Sequence, residues 1–293
     1  MGDNMKFATI LYNNEYTLAV YDHDEMILLS SLGYSFKDMN ELIETMTDSQ
    51  IKECHKKCMN HEGIRVKDFK WCSPIPVSKQ DIICLGQNYA DHAEESMRYK
   101  KEAFSLNQNP VYFSKRASMI IGHQDEVDSH PDLVSDLDYE VELAAVIRKD
   151  CRNVKKEEVR DVIFGYSVFN DISARTVQTR HKQWYFGKSL DTFCIMGPVL
   201  VTADEFDWPL CLKLTTKIND ELRQNGNTNQ MIFDLEHIIC ELSQGMTLKS
   251  GSIIVTGTPA GVGMGFNPPK FLNIGDQMEC TIEKIGTIIN TIK

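Results

Sequence analysis

The 293-residue chain has no apolar run approaching the ~20 residues that a membrane-spanning helix needs, so no membrane anchor of that kind is expected. Its start, Met1-Gly2-Asp3-Asn4-Met5-Lys6, lacks the charged-then-apolar profile of a secretory leader and the hydroxyl residue of a myristoylation motif. A cytoplasmic location is the expectation. Positive charge is also short: 31 Lys and Arg against 42 Asp and Glu leave a net charge of −11. That argues against a nucleic-acid partner, whose affinity depends on neutralising phosphates. An acidic substrate would need a local cluster of cations. Nine cysteines occur without a Cys-x-x-Cys pair. Cys54 and Cys58, near His55 and His61, sit one helical turn apart with no second pair at zinc spacing, so all nine are expected to be reduced thiols. Internal repeats and low-complexity tracts are absent. The glycine-containing stretch 256–263 fails as a phosphate loop, because no Gly-Lys-Ser/Thr follows it and its glycines lack dinucleotide spacing.

What is present is a strand-rich pattern. Residues 7–32 read as three short strands with turns at Asn13-Asn14-Glu15 and Asp22-His23-Asp24. Met39, Leu42, Ile43 and Met46 give residues 36–59 a helical period. Ser73-Pro74-Ile75-Pro76 then punctuates the chain, which suggests a small α+β unit over 1–73 and a larger domain over 75–293. In the larger part Asn88 is placed to cap a helix beginning at Tyr89, and residues 154–159 read as helical. Residues 172–189 are polar and basic, Asn225-Gly226-Asn227 reads as a turn, and 232–242 as an amphipathic helix. Strands and helices alternate too irregularly for a doubly wound fold, so the class is α+β around a mixed sheet.

The chemistry concentrates at Asp138-Tyr139-Glu140-Val141-Glu142-Leu143 and the apolar run after it, a strand buried on both faces. Alternation sends Glu140 and Glu142 to one side and Tyr139, Val141 and Leu143 to the other. By itself the pattern also describes a strand end facing water. Asp171 ends another buried strand, where it would otherwise be a turn or capping carboxylate. Together the three acids make an all-oxygen set suited to a hard octahedral cation, Mg²⁺ or Mn²⁺. His92 and Glu95, three apart on a helix, share a face, as a base with its orienting carboxylate or as an ordinary surface pair. Lys188 in Phe186-Gly187-Lys188-Ser189 is a solvated loop lysine or a donor to a developing oxyanion. The 256–263 stretch remains a turn that exposes backbone and two hydroxyls.

Five motifs, Gly86-Gln87-Asn88-Tyr89-Ala90-Asp91-His92-Ala93-Glu94-Glu95, the 138–143 stretch, Asn170-Asp171-Ile172-Ser173-Ala174-Arg175, Gly187-Lys188-Ser189-Leu190-Asp191-Thr192-Phe193 and the 256–263 turn, occur in the order that resembles the fumarylacetoacetate hydrolase family. The resemblance covers about 75–293. It implies a mixed β-sandwich roll, a homodimer, and one Mg²⁺ or Mn²⁺ (Ca²⁺ as a crystal substitute) on Glu140, Glu142 and Asp171. It further implies that His92 and Glu95 activate water on a closing segment, that Gln178, Lys188 and Thr258 touch a small anionic 2-oxo acid, and that Arg175 lies just behind. Gln87 departs from the Arg that acylpyruvate-handling members often carry, which leaves the far end of the substrate without its charge partner. The implied activity is hydrolysis of a carbon–carbon bond in a β-dicarbonyl 2-oxo acid through a metal-stabilised enolate. Isomerisation of a 2-hydroxyhepta-2,4-diene-1,7-dioate, oxaloacetate decarboxylation and ureidoglycolate lysis share that site. A catalytically silent metal-binding scaffold is the alternative from another class.

Overall fold

The computed structural model describes residues 5–293; Met1 to Asn4, on which the leader and myristoylation readings partly rest, lie outside the described residues. Among the described residues, two large sheets dominate, and no helix is long and apolar enough to cross a membrane. The larger sheet runs Arg65–Val66, Glu25–Leu28, Glu15–Asp22, Lys6–Tyr12, Cys194–Thr202, Ile163–Asp171, Val141–Ile147, Ile253–Val255, Ile82–Gly86, Val111–Lys115, with Lys70–Trp71 also on Lys6–Tyr12. It is mixed: Ile253–Val255 and Ile82–Gly86 are parallel, whereas their outer neighbours are antiparallel. The smaller sheet holds Glu221–Asn227, Lys213–Ile218, Gln277–Ile282, Gly286–Ile292 and Glu126–Val127. The fold is α+β, a mixed sheet roll with few helices. The amino-terminal strands belong to the larger sheet, through Lys6 opposite Val201 and Phe7 opposite Leu200.

Alternation along the central strands creates two cores. Val141, Leu143, Ala145 and Ile147 face the second sheet and pack with Leu214, Met278, Ile282 and Ile288. Ala144, Val146, Phe164 and Phe169 face the other way, towards Leu42, Ile43 and Cys54 of the amino-terminal helices. Burying both faces explains why Val141–Ile147 is apolar apart from Glu142.

Local chemistry decides several elements. Asn13-Asn14 and His23-Asp24 take φ of 50°, 64°, 47° and 65°, the left-handed backbone of tight hairpin turns, where short polar side chains cost least. Residues 29–32 form a 3₁₀ turn and do not extend the third strand. The period over 36–59 divides into helices Met39–Thr45 and Asp48–Met59, because Thr47 and Gln50 close a capping box that starts the second. Residues 154–159 are not an α-helix; short 3₁₀ turns stand at Lys156–Glu158 and Arg160–Val162. Asn225-Gly226-Asn227 is strand, not turn. The reversal comes earlier, at Asn219 and Asp220 with φ of 48° and 68°, and Gly226 lets Pro259 pack where a Cβ would come within 2.4 Å. Asn88 does not cap helix Ala90–Lys100, whose first turn lacks a side-chain cap. Its amide donates to Phe233 O at 2.9 Å and Thr256 O at 2.8 Å and accepts from Phe233 N, tying three segments together. All nine cysteines are free thiols.

Candidate active site

The three acids come together. Glu140, Glu142 and Asp171 are fully buried, and one oxygen from each lies within 4.8 Å of the others. Pairing of neighbouring strands brings them there. Asp171 closes strand Ile163–Asp171, and its N–H donates to Glu140 O at 2.9 Å. Glu140 stands one residue before strand Val141–Ile147, where the chain leaves one pairing for another and Asn170 Oδ1 accepts its N–H at 3.0 Å. Glu142 is the second strand residue, and it accepts the N–H of Gly257 at 2.5 Å. Gly257 has φ of 91°, a conformation open to glycine, and a Cβ there would meet Asn88 at 2.8 Å. The 256–263 turn therefore presents backbone donors to carboxylates of its own chain.

Three buried cations balance these acids. Lys188 Nζ donates to Glu140 Oε2 at 2.8 Å and Asp171 Oδ2 at 2.6 Å. Lys115, absent from the sequence reading, donates to Asp171 Oδ1, to Phe193 O at 2.7 Å and to Ile172 O at 3.1 Å. Arg175 donates from Nε to Asp138 Oδ2 at 2.9 Å and from Nη1 to Gln178 Oε1 at 3.2 Å. Its Nη2 lies 2.7 Å from Glu140 Oε1, in ionic contact but off hydrogen-bond geometry. Asp138, also missed, accepts Gly263 N at 2.6 Å and Met264 N at 3.0 Å and so locks the glycine turn to Arg175. Neither Lys115 nor Asp138 carries a local signal, because their partners are distant in sequence.

The charges are unequal. Burial would raise the Glu140 carboxyl, but Lys188, Arg175 and His92 overcome it and hold the group well below the usual carboxylate range. Burial tends to lower the Lys188 ammonium, and Asp171 with Glu140 more than offset this and raise it. Among the described residues, no cation forms an ion pair with Glu142. Burial, Asp171 and Glu140 all push its carboxyl well above the ordinary value. The cluster is short of positive charge on the Glu142 side. A divalent ion fits that deficit, an all-oxygen donor set fits a hard ion, and the Lys188 ammonium already lies between two of the three carboxylates.

Glu140 and Glu142 line a cavity of about 20 Å³, room for roughly one water molecule, shared with His92, Gln178, Lys188 and Thr258. Lys188 is the last residue of a short helix, Tyr185–Lys188, and at 2% exposed is not a solvated loop lysine; helix Arg175–Arg180 precedes it in the same segment. Gly187 permits the packing, since a Cβ there would sit 2.3 Å from Gln178 N. Thr258 Oγ1 donates to Val141 O at 2.9 Å and accepts from Gln224 Nε2 at 2.7 Å, leaving one lone pair. His92 and Glu95 share a face of helix Ala90–Lys100, but Nδ1 stands 3.9 Å from Glu95 Oε2, too far for a hydrogen bond. Glu95 instead accepts Gly261 N–H at 3.0 and 3.1 Å. His92 Nδ1 is buried without a partner.

Comparison with known proteins agrees with this architecture. Residues 81–293 match the family model described as fumarylacetoacetate (FAA) hydrolase C-terminal. Oxaloacetate tautomerase YisK of Bacillus subtilis is 42% identical over 98% of this chain and 100% of that protein. The solved fumarylacetoacetate hydrolase of psychrophilic Exiguobacterium antarcticum superposes with a TM-score of 0.83 at 36% identity, covering 99% of both chains. Maleylpyruvate hydrolase of Sphingobium sp. SYK-6, solved with manganese(II) and pyruvate, gives 0.78 at 29% identity over 98% of each chain. Family model, full-length relative and fold agree: the chain belongs to the fumarylacetoacetate hydrolase family.

Proposed function

We propose that this chain is a divalent-metal-dependent tautomerase of oxaloacetate, which moves a proton between the C2 oxygen of the enol and C3 of the keto form. The observation that carries the reading is the state of the dyad. Hydrolysis needs a histidine oriented by a carboxylate to deprotonate water, yet Glu95 is bonded to Gly261 and His92 Nδ1 is free of any partner. A tautomerase needs a single acid–base group beside a polarised oxygen. Full-length similarity to an oxaloacetate tautomerase supports the same choice.

Glu140, Glu142 and Asp171 would hold Mg²⁺ or Mn²⁺, which supplies a Lewis acid for the carboxylate and C2 oxygens of a 2-oxo acid. Lys188 stays protonated between Glu140 and Asp171 and turns an N–H towards the C2 oxygen as charge grows there. His92 exchanges the proton at C3. Gln178, braced by Arg175, and the remaining lone pair of Thr258 orient the substrate. The reaction is an internal proton shift, so no co-substrate is consumed. A cavity of about 20 Å³ is too small for a four-carbon acid, so helix Ala90–Lys100 or Lys188 moves on binding.

A second reading, hydrolysis of a carbon–carbon bond in an acylpyruvate or fumarylpyruvate, rests on the same pair. A side-chain rotation that closes 3.9 Å to hydrogen-bond length would assemble the water-activating dyad. The test follows loss of enol-oxaloacetate absorbance beside an acylpyruvate and fumarylpyruvate, with Mg²⁺, with Mn²⁺ and with chelator. Metal-dependent acceleration of the enol-to-keto step, lost in His92→Ala, is expected. Cleavage of the acylpyruvate without that acceleration selects the second reading, and inertness to all substrates selects a silent scaffold.

A further inference from the structure

The cavity carries one cation that no carboxylate claims. Lys100, the last residue of helix Ala90–Lys100, lines it together with Glu140, Glu142, Gln178 and Lys188. Lys115, Lys188 and Arg175 each rest on buried acids. Among the described residues no acid forms an ion pair with Lys100. Its ammonium stands over the Trp184 ring, 5.5 Å from the centroid. Burial lowers its pKa, Glu102 raises it through a longer-range field, and Arg175 lowers it further. A half-buried ammonium on an aromatic face gains most when an anion joins it.

The platform under Lys100 is built. Trp184 meets Phe113 edge-on, centroids 5.3 Å apart at 71°, and Lys188 lies over the Phe113 ring at 5.2 Å. A Cβ on Gly86 would come within 2.2 Å of the indole, so the absence of a side chain at that position lets Trp184 lie there. The two aromatic rings thus separate the deep ammonium, Lys188 among the carboxylates, from the outer one, Lys100. Gln87, which lines the same cavity, brings no charge, and its side-chain oxygen already accepts from Asn107 Nδ2 at 2.8 Å.

We propose that Lys100, carried on Trp184, receives the distal carboxylate of a dicarboxylic 2-oxo acid and sets the preference for such acids over monocarboxylic ones. This rests on the reading above that Lys188 and the carboxylate cluster take the proximal end. Gln87 then needs no charge, because the cation comes from the end of the helix and not from the strand that precedes it.

The test is equilibrium binding to the Mg²⁺-loaded protein of oxaloacetate and of pyruvate, which differ by the distal carboxylate alone. The wild-type protein should prefer oxaloacetate roughly tenfold or more, the size of one charge-assisted hydrogen bond in a partly desolvated site. Lys100→Met keeps the aliphatic stem over Trp184 and should bring the ratio to about one, with pyruvate affinity retained. Lys100→Arg should restore most of the preference. A wild-type protein without the preference, a Lys100→Met variant that keeps it, or equal weakening of both ligands overturns the proposal. A Lys100-dependent preference in a protein that does not accelerate enol-oxaloacetate decay overturns the proposed activity and leaves the subsite standing.

Discussion

Replacing Lys115 with Met should destabilise the metal-free protein and make it more responsive to metal. Lys115 is completely buried, and its ammonium satisfies Asp171 Oδ1, Phe193 O and Ile172 O. Methionine fills a similar volume but leaves one carboxylate oxygen and two carbonyls without that donor. Breaking a buried ion pair from one side costs roughly 3–5 kcal/mol, most of it the uncompensated charge. At roughly 2–4 °C per kcal/mol for a chain somewhat shorter than this one, melting should fall by about 6–20 °C, towards the lower end for this longer chain. A divalent ion on Asp171 supplies the missing positive charge, so saturating Mg²⁺ should return a larger share of stability to Lys115→Met than it adds to the wild type. Thermal melting of both proteins with chelator and across a Mg²⁺ titration reads both effects. An unchanged melting temperature, or the same metal-induced gain in the two proteins, would refute the view that Lys115 and the metal share the charge of Asp171.

Glu142 makes stability depend on pH with a definite sign. Its folded pKa is raised by burial, Asp171 and Glu140, so its contribution in the metal-free protein is fully present below the unfolded value near 4.5 and is lost as pH rises through the folded value. Chelator-treated protein should lose stability as pH rises through that interval, Glu142→Gln should flatten this loss, and Mg²⁺ affinity of the wild type should rise with pH because uptake displaces the Glu142 proton. A Glu142→Gln pH–stability profile superimposable on the wild type would contradict this. Glu95→Gln separates the two readings of activity. Its amide oxygen still accepts Gly261 N–H, so the variant should keep enol tautomerisation within about fivefold, whereas a water-activating dyad would lose roughly 10²–10⁴-fold.

The sequence was legible where neighbours along the chain carry the signal. Glu140 and Glu142 stand two apart before an apolar run, and a buried strand with two acids at its mouth follows from alternation alone; Asp171 at the end of its own strand completed the set. The hairpin turns were visible for the same reason, since Asn-Asn and His-Asp pairs tolerate positive φ. Long-range satisfaction was not legible. Lys115 ends an edge strand and reads as an ordinary surface lysine until Asp171, Ile172 and Phe193 close around it. Asn88 looked like a helix cap because its side chain can do that, but carbonyls of Phe233 and Thr256 and the Phe233 N–H compete for its amide and win. The polar stretch 172–189 hid two short helices because two of its cations, Arg175 and Lys188, point inward to acids supplied by other strands. The spacing of His92 and Glu95 gave their shared face, but not that Gly261 holds the carboxylate.

The central claim is that Glu140, Glu142 and Asp171 form one divalent-metal site and that Lys188 shares it. Anomalous diffraction from crystals soaked in Mn²⁺ tests this most directly. A single strong manganese peak in contact with an oxygen of each of the three carboxylates is expected, lost in Glu140→Gln crystals. A peak elsewhere, or a Glu140→Gln crystal with undiminished manganese among the remaining carboxylates, would contradict it.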